Sequence, residues 1–322
     1  MADSSPATIE ARGLTKTFAS RMHGGRIRAV DGLDLAVAPG ETFGLVGPDG
    51  AGKTTAVRLF NGLVAPDAGE AHVLGYDATR QSPEVHRRAG YMAQQFSLYG
   101  DLSVLENIGF FADIYGVPRT VRAERIARLL EFARLNPFRG RPAAKLSGGM
   151  QKKLALACML VHEPAVVFLD EPTTGVDPVS RREFWGLLGA LRLERSLTIL
   201  VSTPYMDEAE RCHRVGLMYA GRLVAVGTPA QIKGLLPGEL LELVPADWRA
   251  AKGLLAGVEG VLEVQTFGDR LHLFVDDAAR RGPELVHALA AQGMACPTPR
   301  RIAPRLDEAF VSIIRREQGK QP

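Results

Sequence analysis

The sequence predicts an α/β protein with a mostly parallel sheet, followed by a small α+β domain. Between residues 41 and 202, short apolar runs typical of buried strands alternate with helical patterns, as they do in βαβ units. After Leu235-Leu236-Pro237-Gly238 the patterns change to strand–helix–strand–strand–helix–strand, the βαββαβ order. We therefore expect two domains, residues 1–235 and 236–322, for which a chain of 322 residues is long enough.

The elements of the first domain are predicted from periodicity and turn residues. Alternation and short apolar runs indicate strands, whereas apolar spacings of three or four residues indicate helices. Strands are expected at 8–12, 30–37, 41–46, 165–169 and 197–202, with a hairpin at 215–226. Helices are expected around 57–63, at 103–135 divided by Pro118, at 150–161 and at 181–195.

The second domain is predicted in the same way. Strands are expected at 240–244, 261–267, 270–275 and near Arg300, and helices at 247–255 and 284–292. A closing helix at 305–316 places Leu306, Ala309, Phe310 and Ile313 on one face.

Composition excludes several classes of protein. Apolar residues make up 46% and charged residues 23%, which is typical of a globular chain. The net charge is only +3 and the basic residues do not form a basic arm, so we expect no nucleic-acid partner. The longest clean apolar run, Leu154–Val161, is far shorter than the roughly 18 residues that span a bilayer, and the start lacks a signal-peptide pattern. Cysteines at 158, 212 and 296 are too scattered for a disulfide framework and indicate buried thiols in the cytosol.

A glycine-rich loop between a predicted strand and helix matches G-x-x-x-x-G-K-[ST]. Glycines let successive backbone N–H groups surround phosphate oxygens, and the helix N-terminus adds a positive dipole end. Lys53 supplies a charge for the β- and γ-phosphates, and the Thr54 hydroxyl suits Mg²⁺. The expected phosphate-binding residues are Gly47, Pro48, Asp49, Gly50, Ala51, Gly52, Lys53, Thr54 and Thr55.

Two carboxylates, Asp170 and Glu171, follow the apolar run Val166–Leu169. The carboxyl end of a buried strand is where an open α/β sheet binds its ligands. We expect Asp170 to hold Mg²⁺, directly or through water, and Glu171 to polarise the attacking water as a general base. The alternative, a solvated pair at a strand end, is disfavoured by the phosphate loop in the same chain.

A Ser-Gly-Gly segment precedes the helix predicted at 150–161. Ser147 is suited to cap this helix, yet a cap does not require the two glycines that follow. Ser147, Gly148 and Gly149 would expose backbone N–H groups at a helix N-terminus, as a second phosphate-binding surface requires.

In their order along residues 8 to about 235, these motifs resemble those of the ATP-binding subunits of ABC transporters. The resemblance implies a P-loop NTPase with an antiparallel β subdomain and a helical subdomain, and ATP and Mg²⁺ as cofactors. It implies that Gln94 is a catalytic residue and metal ligand that senses Mg²⁺ and the membrane partner. It also implies that Asp177 lies in the loop that links the two sites of a dimer. It implies that Phe18 stacks on adenine, and the alternative for Phe18 is burial in the core.

Within that family, residues 94–107, 175–178 and 206–210 are similar to ABC-2-type exporters of drugs and polysaccharides. This implies a sandwich dimer around two ATP molecules, with either a second copy or a different ATP-binding subunit. It also implies a separate ABC-2-type permease and a peripheral position on the inner face of the cell membrane. Phe96, Leu98 and Tyr99 are expected to contact the permease unless they pack inside the domain. The C-terminal domain is similar to a small appended domain of such exporters, and its role as dimer clamp, regulatory site or cover stays open.

Three positions depart from the family pattern. Asp49 replaces an asparagine and adds negative charge near phosphate, and Met150 replaces a glutamine with little expected effect. Pro204 stands where the family has a histidine that donates to the γ-phosphate, and proline has neither a side-chain donor nor an N–H. His213 is not expected to replace it. We expect firm ATP binding and slow hydrolysis, unless a rearranged loop, another donor or water restores the contact.

Three functions are compatible with these motifs. The first is an ATPase that powers an exporter. The second is a regulatory ATP-binding subunit that completes a partner's ATP site; Pro204 favours this function and Glu171 opposes it, because an inert site needs no base. The third, an ATPase acting on ribosomes or in DNA repair, usually needs two ATPase units or a long insertion, and the sequence has neither.

Overall fold

The computed structural model describes residues 7–19, 25–95, 98–295 and 297–319. It divides into two compact units, Met1–Val226 and Gly227–Pro322. The sequence predicts the boundary later, near residue 235. The short helix Pro229–Lys233, which lies between these two positions, packs against the C-terminal helix Leu306–Gln318.

The first unit combines strands and helices in the alternating order that the sequence predicts. Its strands are β1 (Ile9–Ala19), β2 (Arg26–Val37), β3 (Thr42–Val46), β4 (Ala68–Val73), β5 (Tyr76–Asp77), β6 (Ala89–Met92), β7 (Val166–Asp170), β8 (Thr198–Thr203), β9 (Arg214–Tyr219) and β10 (Arg222–Gly227). Its helices are α1 (Lys53–Phe60), α2 (Ser82–Arg88), α3 (Val104–Ile114), α4 (Arg119–Phe132), α5 (Gly148–Leu160), α6 (Pro178–Arg195) and α7 (Met206–Ala209).

Two sheets organise this unit. A six-stranded sheet has the order β10-β9-β3-β8-β7-β6, and its β9-β3-β8-β7-β6 pairs are parallel. A four-stranded sheet has the order β2-β1-β4-β5 and is antiparallel. Helices α3 and α4 pack with α5 and form the helical part of the unit. The predicted fold class, a mostly parallel sheet with an antiparallel β and a helical subdomain, is confirmed.

Local sequence signals explain the helix boundaries in this unit. Ser103 and Glu106 form a reciprocal capping box that starts α3. Pro118 lies at the N-cap of α4, which is why the long helical pattern at 103–135 divides there. In the core, Phe60 of α1 stacks on Phe168 of β7 with ring centroids 6.3 Å apart, so the helix after the phosphate loop is anchored to the acidic strand.

The second unit confirms the predicted βαββαβ order. It contains α8 (Pro229–Lys233), β11 (Glu239–Leu243), α9 (Trp248–Leu255), β12 (Val261–Phe267), β13 (Arg270–Val275), α10 (Ala278–Ala290), β14 (Arg300–Arg301) and α11 (Leu306–Gln318). The strands form an antiparallel sheet with the order β12-β13-β11-β14. Residues from α9 and α10, among them Leu255 and Leu285, form its apolar core with Leu271 and Leu273.

Some elements differ from the prediction. The sequence reading leaves β4, β5, α2 and β6 unassigned, because β4 and β5 carry glycine and mixed polar residues rather than an apolar run. Helix α10 starts at Ala278, well before the predicted residue 284, because Asp277 caps it and Pro283 is accommodated inside. Cys158 and Cys212 are buried as predicted, which raises the pKa of both thiols, while Cys296 lies outside the described residues. Within the described ranges, every helix is too short or too polar to cross a bilayer.

A buried carboxylate beside a histidine connects α11 to the sheet of the second unit. Glu308 is 1% exposed, and its Oε1 lies 3.0 Å from His272 Nδ1 of β13. Burial by itself raises the pKa of the Glu308 carboxyl, but the hydrogen bonds from His272 and the Arg305 N–H outweigh it and leave the pKa below its usual value. The ionised carboxylate therefore stabilises the folded unit above the unfolded-state pKa of 4.5, and this stabilisation is lost as pH falls through the lower folded-state pKa.

We expect Glu308→Gln to lower the free energy of unfolding by about 1–3 kcal/mol at pH 7, because the folded unit loses the carboxylate that accepts from the Arg305 N–H and lies beside His272. The deficit should shrink below about pH 4.5, where the parent carboxyl also becomes protonated. Urea unfolding followed by Trp248 fluorescence in a Trp185→Phe background reports on this unit alone, since the chain has two tryptophans. Asp269→Asn, at a side chain 80% exposed, is the control, and an equal deficit at both pH values would contradict the account.

Candidate functional site

The parallel register brings the predicted site segments to one edge of the central sheet. Val46 of β3 lies beside Thr203 of β8, and Ser202 lies beside Asp170 of β7. Because these strands run in the same direction, the residues that follow them emerge at a common edge. The phosphate loop, the acidic pair and the segment containing Pro204 are therefore neighbours.

Close backbone approaches explain the glycines of the phosphate loop. A side chain at Gly47 would collide with the carbonyl oxygen of Met218. Gly52 has a φ of 103° and directly faces the Ala29 carbonyl, so it has neither the conformation nor the space for a side chain. This packing holds the loop against β2 and β9 and presents its backbone at the start of α1.

Lys53 is held at the centre of the loop. It is 4% exposed, and its Nζ donates to the carbonyl oxygens of Gly47 at 2.9 Å and Pro48 at 3.0 Å. The same ammonium lies 3.4 Å from Oε1 of Glu171. One cation thus connects the loop to the carboxylate predicted to act as base.

The arrangement around Asp170 fits a divalent cation. Its Oδ1 accepts hydrogen bonds from the hydroxyls of Thr54 at 2.9 Å and Ser202 at 2.6 Å. Its Oδ2 is buried and has no hydrogen-bond partner within the described residues. A buried carboxylate oxygen costs free energy if left unmatched, and hard oxygen donors such as carboxylate and hydroxyl suit Mg²⁺. Asp170 and Thr54 would hold the ion.

Glu171 is positioned by both its backbone and its side chain. Its φ of 47° is in the left-handed region, which a non-glycine residue adopts at some cost, as often found at functional sites. Its N–H donates to Ser202 O at 3.1 Å, which fixes this conformation. Its Oε2 accepts from Gln94 Nε2 at 2.9 Å and from the Thr174 hydroxyl at 3.3 Å, so the predicted base and the predicted metal sensor are in direct contact.

These groups line one cleft with an excess of negative charge. The cleft has a volume of about 370 Å³ and is lined by Ala29, Asp49, Gly50, Gly52, Lys53, Thr54, Thr55, Gln94 and Glu171. Asp170 lies beside it through its hydrogen bond with Thr54. Three carboxylates face one ammonium here, so a polyphosphate could enter favourably only together with a cation.

The predicted second phosphate surface lies outside this cleft. Ser147 caps α5 through Met150 N at 3.4 Å, and Gly149 packs so closely on Ser180 that a side chain would collide with it. Gly148 has open space around it. Asp177 is exposed and caps α6, where its hydrogen bonds with Ser180 and the Val179 N–H lower the pKa of its carboxyl. The described residues that line the phosphate cleft include none of these four, so within one chain the two surfaces stay apart.

Phe18 is an exposed residue of the antiparallel sheet. Its relative exposure of 42% excludes the alternative of core burial. It pairs with Ile27 of β2, two residues before Ala29, whose carbonyl lies against Gly52 of the phosphate loop. An exposed aromatic ring on this strand is free to stack on a base, so the adenine contact stays a prediction.

The segment at Pro204 is joined to the phosphate loop through its neighbours. The Thr203 carbonyl accepts from Gly47 N at 3.4 Å, and the Thr203 hydroxyl accepts from Tyr205 N at 3.0 Å. The N–H of Tyr205, the residue after Pro204, is thus already bonded. His213 accepts a hydrogen bond from the N–H of Thr42, at the start of β3, whereas the phosphate loop follows the end of that strand. His213 therefore lies at the wrong end of β3 to replace the family histidine.

A second cleft lies beside the helical part of the first unit. It is lined by Gln94, Gln95, Leu98, Gly100, Ala143, Ala144, Gly148, Gln151, Lys152, Ala155, Thr174, Gly175 and Val176. Burial lowers the pKa of Lys152, whose Nζ donates to the Gln94 carbonyl at 3.0 Å. Tyr99 is 49% exposed and packs edge-on against Phe110, whereas Phe96 lies outside the described residues. Gln94 thus takes part in both clefts.

Several site residues are absent from the sequence reading. Ser202 bonds both Asp170 and the backbone of Glu171, and Lys152 holds the backbone of Gln94. A buried hydroxyl at the end of an apolar strand, in Leu200-Val201-Ser202-Thr203, was the available signal for Ser202. For Lys152 there is no comparable signal, since its contact spans 58 residues of sequence.

Comparison with known proteins identifies the family. Residues 30–174 match the ABC transporter family. The chain is 38% identical over 313 residues to the Nod factor export ATP-binding protein I of Paraburkholderia xenovorans, covering 97% of this chain and 98% of that protein. The chain belongs to the ATP-binding proteins of ABC transporters. The family resemblance predicted from the motifs is therefore confirmed, and the first unit is an ABC-type ATPase domain.

Other relatives agree with this assignment. The probable multidrug ABC transporter ATP-binding protein YbhF of Escherichia coli is 46% identical over 225 residues, or 70% of this chain. The chain covers only 38% of the length of that relative. Among solved structures, CbiO1 of Clostridium perfringens superposes with a TM-score of 0.64 at 26% identity, covering 71% of this chain and 92% of that one. The ATP-binding cassette MJ0796, in a dimeric post-hydrolysis state with ADP and Pi, gives 0.62 at 25% identity, covering 68% and 98%.

We expect Asp49→Asn to tighten binding of Mg·ATP by about 3- to 10-fold at low ionic strength, because it removes one negative charge at the mouth of the phosphate cleft. The gain should fall as salt is added, since exposed charges are screened. Glu124→Gln makes the same charge change on exposed α4 and serves as the control. Isothermal titration at two salt concentrations measures the effect, and weaker binding by Asp49→Asn would show that the carboxylate itself contributes to the site.

Proposed function

We propose that this ABC protein binds and hydrolyses ATP and thereby powers export through a separate ABC-2-type membrane permease. The observation that carries the proposal is that Lys53 and Glu171 line one cleft with Asp170 beside it, the Glu171 carboxylate lying 3.4 Å from the ammonium that would contact the phosphates. The relatives named as Nod factor export and daunorubicin resistance ATP-binding proteins support an exporter.

The proposed reaction uses the residues of the cleft in distinct roles. The loop from Gly47 to Thr55 binds the phosphates, and Lys53 stabilises negative charge on the β- and γ-phosphates. Glu171 orients a water molecule and takes its proton as the water oxygen attacks the γ-phosphorus and the bond to the ADP oxygen breaks. Mg²⁺, held by Thr54 and Asp170 with Gln94 nearby, would neutralise phosphate charge. Gln94 holds the Glu171 carboxylate in place through its amide.

Dimerisation is part of the proposal, because the second phosphate surface lies outside the phosphate cleft. Ser147, Gly148 and Gly149 of one subunit would face the γ-phosphate bound by the other, and Asp177 would link the two sites. The dimeric state of the structural relative MJ0796 supports this arrangement. The partner is a second copy of this chain or a different ATP-binding subunit.

The permease would dock at the cleft beside Gln94. Leu98 lines this cleft and Tyr99 is exposed next to it, so a helix of the partner can find apolar contacts there. Because Gln94 donates a hydrogen bond to Glu171, a shift of Gln94 on docking of the permease would change the position of the Glu171 carboxylate. Docking of this kind would hold the protein on the inner face of the cell membrane. We propose residues 1–235 as the ATPase domain and residues 236–322 as an accessory domain.

Pro204 would make hydrolysis slow. Loss of one donor to developing transition-state charge typically costs about 10²–10³ in turnover. A second function, a regulatory subunit that binds ATP and completes the site of a catalytic partner, is favoured by this same residue. The hydrogen bonds that hold Glu171 favour the hydrolytic function, since they position a base.

We expect slow turnover of Mg·ATP by the purified chain, a faster rate in Pro204→His, and loss of turnover in Glu171→Gln with ATP binding retained. The reason is that Pro204→His supplies the missing donor, whereas Glu171→Gln removes the base. Phosphate release measures the rate and equilibrium titration measures binding. Binding without turnover in all three proteins would support the regulatory subunit, and rapid parent turnover would contradict the role given to Pro204.

A further inference from the structure

A buried carboxylate lies behind the phosphate cleft, outside its lining. Glu208 of α7 is 1% exposed, and the predicted catalytic machinery does not include it. A buried ionised carboxylate is costly unless several donors satisfy it, so its partners indicate why the position holds a glutamate.

Two threonine hydroxyls satisfy Glu208 from two different segments. Thr203 Oγ1, at the end of β8, donates to Oε2 at 2.6 Å. Thr173 Oγ1, in the loop after β7, donates to Oε1. Both threonines are buried, with exposures of 0% and 1%. Charge-assisted hydrogen bonds of this kind are about twice as strong as neutral ones, and here one carboxylate bridges both segments.

Each bridged segment continues directly into the ATP site. Thr203 contacts the phosphate loop through its carbonyl, which accepts from Gly47 N, and Pro204 follows it. Thr173 lies two residues after Glu171, and its carbonyl accepts from Val176 N in the turn that leads to Asp177. Glu208 therefore adds a second connection between the loop that carries the base and the segment beside the phosphates, next to the direct hydrogen bond from Glu171 N to Ser202 O.

Arg181 reinforces the bridge. Its Nε lies 3.7 Å from Glu208 Oε1, and its guanidinium stacks 4.1 Å from the centre of the Tyr205 ring. The arginine belongs to α6, which Asp177 caps. The same group of contacts thus joins α6 to both sides of Pro204.

We propose that Glu208 is a positioning residue for ATP hydrolysis, and that it fixes the Thr203–Tyr205 segment relative to the loop from Glu171 to Asp177. Because Pro204 offers no donor, the reaction depends on how precisely Glu171 is held relative to the phosphate loop, and the Glu208 bridge contributes to this positioning beside the contacts of Ser202 and Lys53 with Glu171. The inference rests on the proposed hydrolytic function. A misplacement of the base by about 1 Å can cost roughly 10²-fold in rate while substrate still binds.

The test compares kcat, KM and ATP affinity in variants of the full chain. Glu208→Gln and the near-isosteric Thr203→Val should each lower kcat by about 10- to 100-fold, with KM and the ATP Kd changed less than about twofold. The double variant should lose less than the product of the two single losses, because both changes weaken or break the Glu208–Thr203 hydrogen bond, while Thr203→Val also removes the acceptor of the Tyr205 N–H. Thr203→Val keeps the test available if Glu208→Gln does not fold.

The matched control is Glu41→Gln. Glu41 is also buried, at 8% exposure, and accepts hydrogen bonds from Ala38 N and Arg214. It lies just before β3, at the end of the strand opposite to the phosphate loop. If Glu208 is only structural, both glutamate variants should lower the melting temperature and leave kcat unchanged, which would overturn the inference. Additive losses in the double variant would also overturn it. A parent chain without turnover, or one that Glu171→Gln does not slow, would overturn the proposed function and the inference together.

Discussion

The register of three parallel strands determines this ATP site. Because Val46 lies beside Thr203 and Ser202 beside Asp170, the segments after β3, β8 and β7 meet within hydrogen-bonding distance. The consequences are direct contacts, such as those of Lys53 and Gln94 with Glu171. A shift of one residue in β7 would turn Asp170 away from Thr54 and separate the metal ligands from the phosphate loop.

Buried polar groups do most of the positioning around the cleft. Ser202 bonds Asp170 and the backbone of Glu171, while Glu208 bonds Thr203 and Thr173. Such networks are costly unless every member is satisfied, so they hold a specific geometry. Among the residues that the structure describes, the buried Oδ2 atom of Asp170 has no hydrogen-bond partner, and a divalent cation would satisfy it. This exception to an otherwise bonded network is the best structural sign of where the ion binds.

The sequence predicts motifs whose residues are contiguous along this chain, but not contacts between residues that only the fold brings together. The phosphate loop and the acidic strand are recognisable because spacing along the chain determines their chemistry. The role of Ser202 depends on a pairing between strands 32 residues apart, and that of Lys152 on a contact across 58 residues. Strands β4 and β5 are also missed, because they carry glycine and mixed polar residues and lack an apolar run. The capped start of α10 shows a further limit, since Asp277 starts this helix before the predicted residue 284 and Pro283 lies inside it.

The central claim is that one chain holds half of each ATP site and that ATP brings two halves together. The most direct measurement is sedimentation velocity of Glu171→Gln, with and without Mg·ATP, over a range of protein concentrations. The account predicts a monomer without nucleotide and a dimer with Mg·ATP, and a return to monomer when Ser147→Arg blocks the second phosphate surface. A chain that binds ATP yet stays monomeric at every concentration would contradict the claim for a homodimer and leave only a different subunit as the second half.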